Sequence, residues 1–553
     1  MTPEKKTLAT VPMWTPGAAK AIVPAKPEPK RQQQQQPPAE STIIWSPYQK
    51  AVFEDVAHGT GHTIIEAFAG SAKTTTIVES LKHIDPKLSV FFSAFNKRIV
   101  DEISSRVPWS VEVNTLHAFG LRAVKAHYGD VKINRDRVRQ FLRKNFEQQK
   151  WFDRTVSEQL EGCISMCKNV LAGDALAVET VVDDYDFSTL PSKRFRDGMP
   201  SLQQEKEDRQ RFVNAVLDIL DQCRKVTVDI DFDDMIWIPV TNELETQKYD
   251  RVFVDEGQDL TPTQSALIMS AIHEHSRFVA VLDSRQKLYG WKGASDDIVK
   301  DLKLHFGAKT LPLPICYRCP GTVIALAQEV VPDIKPGPNA KIGIVETITA
   351  ARMHDSAGPG DFVLSRANAP LMSHALRFIL DGQRAIILGQ DIGRSLSNLV
   401  KKSKADSIPG LISFLGMWLA QERERCMSVE PPRKRAFEVA MDKAECIKAI
   451  ANQSNSVDEV LGFIDRMFTD ADDSNSVVLS TVHKVKGLES KRVFLLTYTF
   501  KNRREHWEQW AKSEQWLEER MAEYNTEEER NVWYVGVTRS MDELYLVKRP
   551  DGN

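Results

Sequence analysis

A chain of 553 residues is too long for a single hydrophobic core and calls for about two to four domains. Its 42% hydrophobic and 27% charged residues suit a globular protein; with no apolar run of about 18 residues no transmembrane helix is expected, and with no charged-then-apolar pattern at the N-terminus no signal peptide. A net charge of −3 confines any nucleic-acid surface to a local patch.

Residues 1–41 are Pro-rich, carry Lys26, Lys30 and Arg31, and run from Gln32 to Gln36 into Pro37-Pro38. Such a segment buries too little apolar surface to fold, so a disordered Pro/Gln-rich tail is predicted, read first as passive, with a tether for a protein partner as the alternative. From Ile43 onward, short apolar runs alternate with helical patterns: Thr63–Ile65, Ser89–Phe92, Val252–Val254 and Phe278–Leu282. A second series follows at Phe362–Leu364, Ile386–Leu388, Val477–Leu479, Val493–Leu496 and Leu544–Val547. The rhythm predicts an α/β chain with two parallel sheets covered by helices.

Residues 125–235 are helical and polar, as are residues 400–475 around the loop signal Pro431-Pro432, and both read as helical insertions. The first carries Arg135, Arg137, Arg139, Arg143 and Lys144, a patch that reads as a solvated helix face, with DNA contact as the alternative. Seven cysteines, few and odd in number, fit reduced thiols in a cytosolic protein. Cys316-x-x-Cys319 has no second pair at zinc spacing and reads as small, half-buried residues.

After Thr63–Ile65 comes Glu66-Ala67-Phe68-Ala69-Gly70-Ser71-Ala72-Lys73-Thr74-Thr75. A β-branched run breaking into small residues, then Lys-Thr-Thr opening a helix, builds a phosphate-binding loop. Lys73 reaches the β and γ phosphates and the Thr74 hydroxyl holds Mg2+. Ala67 and Ala72 stand where the loop's two glycines belong, and Ala72 is expected to avoid positive φ, which alanine adopts poorly.

The run Val252-Phe253-Val254 leads into Asp255-Glu256-Gly257-Gln258-Asp259. Two carboxylates at the end of a buried strand suit metal-assisted phosphoryl transfer, with Asp255 toward the metal and Glu256 orienting the attacking water. Downstream, a strand ends at Asp283, followed by Gln286, a phosphate sensor, and by Tyr289, Trp291 and Lys292. Aromatics interleaved with a cation form a platform on which single-stranded bases stack, although aromatics in a tight turn also serve as core.

Taken together, these segments resemble the ordered motifs of superfamily-1 helicases of the UvrD/Rep/PcrA kind. Ser46-Pro47-Tyr48-Gln49 is similar to the adenine-reading glutamine motif. Ser93-Ala94-Phe95-Asn96-Lys97 and Asn114-Thr115-Leu116-His117-Ala118-Phe119 resemble two DNA-contacting motifs. Asp255 to Asp259 matches the D-E-x-Q-D box, Gln286 with Tyr289 to Ala294 the next motif, and Cys316-Tyr317-Arg318 the N-Y-R motif. Thr481 to Glu489 resembles T-x-H-x-x-K-G-L-E, and Glu528-Glu529-Arg530 leading to Tyr534–Arg539 resembles the final motif.

The resemblance implies two RecA-like domains, the first from residues 42–124 and 236–312, the second from 313–399 and 476–553, each with a helical insertion. The second insertion, 400–475, is reduced, because Arg318 to Val477 is short for the family. It implies ATP and Mg2+ as cofactors and single-stranded DNA and duplex junctions as partners, with 3′ to 5′ polarity and work in repair, recombination or replication. Gln49 reads adenine and Tyr317 stacks on it, while residues Ala69, Gly70, Ser71, Ala72, Lys73, Thr74 and Thr75 hold the phosphates. Gln286, Arg318 and Arg539 surround the γ-phosphate, the two arginines as fingers from the second domain, and Glu489 lies near the ribose. Phe95, Asn96, His117, Tyr289, Trp291, Lys292 and His483 fall along the strand path. The compartment implied is the cytoplasm of a bacterial or phage-infected cell, or a eukaryotic nucleus.

Some positions depart from the family's pattern. Thr75 replaces an arginine, Leu282 a glycine and Cys316 an asparagine, and Ala72 replaces the loop's second glycine. None removes a charged catalytic group, so a working ATPase is expected, acting as a translocase and helicase. The short run after the last motif leaves no room for a nuclease. The rival is a nucleotide-gated single-strand DNA clamp with weak or lost hydrolysis, for which Ala72 is the main support. RNA as the strand is a lesser rival.

Overall fold

The computed structural model describes residues 43–94, 96–185, 187, 189, 202–226, 228–287, 303–304, 307–427, 434–469, 475–503 and 513–549. Local rules set where its elements begin. Ser46 caps the helix Pro47–His58 with its side chain on the Gln49 N–H, Gln49 returns the bond to the Ser46 N–H, and proline takes the first turn. Thr115 caps Leu116–Tyr128, and Thr261 with Gln264 forms a second reciprocal cap on Pro262–Ser270.

The first half of the chain forms strands β1 (Thr63–Ala67), β2 (Val90–Ser93) and β3 (Val111–Asn114), a two-residue ladder of β4 (Lys132–Ile133) and β5 (Asp229–Ile230), then β6 (Tyr249–Val254), β7 (Ile272–Leu282) and β8 (Lys309–Leu313). Six of these build one parallel sheet in the order β3-β2-β6-β7-β1-β8. Side chains alternate across it: Ile65, Phe92 and Phe253 enter one core, while Ile64, Phe91, Val252 and Val254 enter the other. Both faces are covered, which explains the near-continuous apolar runs.

The second half begins with the short pair β9 (Ile315–Cys316) and β10 (Lys335–Pro336). It continues with β11 (Ile344–Ile348), β12 (Phe362–Ser365), β13 (Ala385–Leu388), β14 (Phe468–Thr469), β15 (Val477–Thr481), β16 (Ser490–Leu496) and β17 (Ser540–Val547). These seven form a second parallel sheet in the order β11-β17-β16-β12-β15-β13-β14. Two helix-covered parallel sheets are the architecture expected from the sequence; β3, β8, β11 and β14 were not singled out there.

The helical stretches behave differently. Arg137–Phe146, Arg154–Val170, Ala175–Asp184 and Leu202–Arg224 gather around their own core, which includes Leu142, Leu160, Val182, Phe212 and Ile219. Ile408–Met427, Lys434–Ala451 and Val457–Met467 instead share one core with the second sheet, where Leu411, Ile447 and Ile464 join Val363, Ile387, Leu479 and Phe494.

The basic patch of the first stretch needs a correction. Arg137 is no part of a solvated face: it is 1% exposed and its guanidinium lies 2.5 Å from the Asp234 carboxylate. Lys168 reaches the same carboxylate at 2.7 Å. Among the described residues, the one gathering of metal-ligating groups is Cys223, Asp231 and Asp234, and these two cations already neutralise it. Arg139 remains exposed but is paired with Glu161 at 3.0 Å.

Candidate active site

Strands β1, β7 and β6 are neighbours in the first sheet, so the segments leaving their C-terminal ends meet, and open parallel sheets form sites at such ends. The loop after β1 reaches the helix Lys73–Leu81, the loop after β6 carries Asp255 and Glu256, and the turn after β7 carries Asp283 and Gln286. One hydrogen bond joins the last two loops, Asp283 N–H donating to Gln258 Oε1 at 3.0 Å, and within the turn after β7 Gln286 Nε2 donates to Asp283 Oδ2 at 2.7 Å.

In the first loop, Ser71 Oγ and Lys73 Nζ are buried and have no hydrogen-bond partner. Lys73 Nζ lies 3.9 Å from Asp283 Oδ2. A buried hydroxyl and a buried ammonium without hydrogen bonds, the latter with only a long ion pair, are costly unless something else supplies acceptors. Phosphate oxygens would do so. Ala72 adopts φ 59° and ψ 41°, the left-handed region, against the expectation that it avoids positive φ. Alanine bears that conformation at about 1–2 kcal/mol.

Glu256 is also left-handed, at φ 53°, and its carboxylate bonds Gln258 Nε2. Burial works to raise its pKa, yet Lys73, Lys486, Gln258 and Arg539 outweigh it and hold the group below the usual range. Asp255 goes the other way, pushed up to about 7 by burial and then by Glu256, with Lys73 opposing. Beside an ionised Glu256, the charge on Asp255 is thus the one its surroundings disfavour, and a divalent cation would relieve it. A threonine hydroxyl and a carboxylate are the hard oxygen ligands that Mg2+ takes, so Thr74 and Asp255 fit that ion.

The second sheet closes over this group. Lys486 reaches Asp259 at 2.6 Å, Arg285 reaches Glu527 at 2.8 Å, and Ala69 N–H donates to Tyr534 Oη at 2.9 Å. Arg318 is ion-paired with Glu489, so the expected finger and the expected ribose contact hold each other here, and Arg318 also reaches the Thr538 carbonyl at 3.5 Å. Arg539 is 1% exposed and bonds the carbonyls of Val535 at 3.0 Å and Leu488 at 3.3 Å. Burial, then the charge of Arg318, brings its pKa down to about 10. Cys316 and Cys319 are buried rather than half-buried, with the Cys319 N–H on Cys316 Sγ at 3.4 Å.

On the base side, Gln49 Oε1 accepts from Tyr317 Oη at 3.1 Å and Gln49 Nε2 donates to Thr76 Oγ1 at 3.0 Å. The amide is therefore satisfied within the protein, and Tyr317, 42% exposed, is bonded to it rather than stacked. Thr74 and Thr75 are half-buried in the first turn of Lys73–Leu81.

The expected strand contacts scatter more widely. Asn96 is exposed and caps Lys97–Ser104 through the Ile99 N–H at 3.0 Å. His483 is half-buried in the turn after β15. His117 stacks on Phe232, centroids 4.0 Å apart, and burial brings its pKa down to about 4, leaving it neutral. Phe232 is 52% exposed and was missed in the sequence; an aromatic flanked by acids in Asp231-Phe232-Asp233 was the available signal. Phe95, Tyr289, Trp291 and Lys292 lie outside the described residues.

Residues 48–307 match the UvrD/REP helicase N-terminal domain and residues 436–549 the UvrD-like helicase C-terminal domain. The chain belongs to the UvrD/Rep type of superfamily-1 helicases. It is similar to the ATP-dependent DNA helicase Rep of Buchnera aphidicola, 26% identical over 57% of this chain and 48% of that protein. It is also similar to the F-box DNA helicase protein 1 of Schizosaccharomyces pombe, 23% identical over 78% of this chain and 50% of that one. Rep of Escherichia coli is 24% identical over 49% of this chain and 41% of its own. The chain spans about half the length of the curated relatives it matches. Among the described residues, no helix is long and apolar enough to cross a membrane.

Proposed function

We propose that the chain is an ATP-dependent single-stranded DNA translocase and helicase that requires Mg2+, moves 3′ to 5′ and serves DNA repair, recombination or replication. The observation that carries this reading is the pair of buried donors without hydrogen bonds, Ser71 Oγ and Lys73 Nζ, the latter 3.9 Å from Asp283 and acting on the charges of Asp255 and Glu256, in a loop tied to the second parallel-sheet module. Lys73 neutralises the β and γ phosphates of the ATP substrate, and Ser71 hydrogen-bonds a phosphate oxygen. Mg2+, held by Thr74 and Asp255, would add charge neutralisation at the phosphates. Glu256, kept ionised by its cationic neighbours, orients the attacking water, and Gln286 senses the γ-phosphate. Arg318 and Arg539 turn toward it from the second module, Arg318 leaving Glu489. Because the phosphates favour the closed cleft and the products do not, hydrolysis alternates the two states and the grip on the strand. His117 stacked on exposed Phe232 offers a base a flat neighbour on the first module. The tail, residues 1–41, is proposed as a tether for a protein partner.

The test is steady-state ATP hydrolysis with and without single-stranded DNA, beside Glu256→Gln. DNA-stimulated turnover that the variant loses supports the motor. One observation favours the clamp instead: Ala72 at positive φ strains the loop that must hold the phosphates. Tight DNA binding gated by ATP, with no turnover in the unaltered chain, selects that reading.

A further inference from the structure

Two hydrogen bonds tie the phosphate loop to the second module. Tyr317 N–H donates to the Gly70 carbonyl at 2.8 Å, and Ala69 N–H donates to Tyr534 Oη at 2.9 Å. Ala69 and Tyr534 are both 0% exposed, and Ala69 packs within the core cluster that holds Tyr534, Val535 and Cys316. A phenol and an amide enclosed this way each need a partner, and here each serves the other. Tyr534 lies on the helix Glu527–Val537, which leads directly into Arg539. Thr538 N–H bonds the Tyr534 carbonyl at 3.1 Å, and Arg539 Nε bonds the Val535 carbonyl at 3.0 Å. Moving Tyr534 therefore moves Arg539.

We propose that Tyr534 is a positioning residue whose hydroxyl registers closure of the cleft through the Ala69 N–H and thereby sets Arg539 against the phosphate loop. The inference rests on the ATP-hydrolysing reading above and names the contact through which the two modules inform each other. The Tyr317 tether is made of backbone atoms, so no side-chain change removes it. Tyr534→Phe removes one oxygen and keeps the ring. In the closed state that variant strands a buried N–H, whereas in an open cleft water serves it. Only the closed form is penalised.

The experiment compares the unaltered chain and Tyr534→Phe in kcat and KM for ATP, in melting temperature, and in compaction by small-angle scattering on adding a non-hydrolysable ATP analogue. The expected result is a kcat lower by about ten- to a hundredfold with KM and melting temperature nearly unchanged, and weaker compaction. Equal kcat together with equal compaction overturns the inference. So does a fall in activity that tracks a lowered melting temperature, which marks packing alone. If the unaltered chain hydrolyses no ATP, the functional reading fails; weaker analogue-driven compaction in the variant then still supports the tether, and equal compaction overturns it.

Discussion

Ala72→Gly separates two origins of the strain in the phosphate loop. Ala72 holds φ 59° at the junction between the loop and its helix, a left-handed turn taken as a property of the fold itself. Glycine at that position relieves about 1–2 kcal/mol and gives back about 0.4–1 kcal/mol through its freer unfolded chain. As the residue before the helix Lys73–Leu81, glycine is also a better N-cap than alanine. The net expectation is a gain of about 1 kcal/mol, a rise of about 2–4 °C in the unfolding of the first module. A turn set by the fold is the same in the free and the nucleotide-bound chain, so its strain cancels from binding and nucleotide affinity should change by less than about threefold. Calorimetric melting and titration of an ATP analogue read both quantities on one preparation. A tenfold gain in affinity with an unmoved melting temperature would refute the reasoning, since the strain would then arise only on binding. A lower melting temperature would remove the left-handed turn itself.

Other substitutions test neighbouring features. Gly70 has φ 66° and a Cβ there would sit 2.7 Å from both Arg318 Cβ and Cys316 Sγ, whereas Gly61, at φ 70°, has open space around it. Gly70→Ala should therefore lose about 2 kcal/mol or more and Gly61→Ala only about 1; equal melting temperatures for the two would contradict the close approach. Lys486→Met leaves Asp259 buried and unpaired, at about 3 kcal/mol. Burial already raises the Asp259 pKa against the pull of Lys486, so the variant's deficit should shrink as pH falls and the carboxylate takes a proton; a deficit constant from pH 8 to pH 5 would argue against it. Arg137→Met should destabilise the first helical stretch by about 3–5 kcal/mol while leaving DNA affinity alone, and weakened DNA binding with normal stability would restore Arg137 to the surface.

What the sequence made legible is what short-range chemistry encodes. Strand runs such as Val252–Val254 are buried on both faces and read as apolar blocks, and capped helix starts such as Ser46-Pro47 announce themselves locally. Long-range pairing leaves no such trace. Arg137 looked like one charge among five because its partner Asp234 is 97 residues away. The Gln49 amide and Tyr317 hydroxyl satisfy each other across 268 residues, which no local pattern announces. The φ of Ala72 was misjudged because alanine is a poor fit there, and only the surrounding fold overrides that preference.

The helices Ile408–Met427, Lys434–Ala451 and Val457–Met467 and the second sheet are welded through one core. Mechanically this makes them a single lever. A load placed anywhere on those helices is transmitted to β12, β13 and β15 without an intervening joint, and so onward to the arms that carry Lys486 and Arg539. A probe fixed to Lys434–Ala451 would therefore report any displacement of the second sheet.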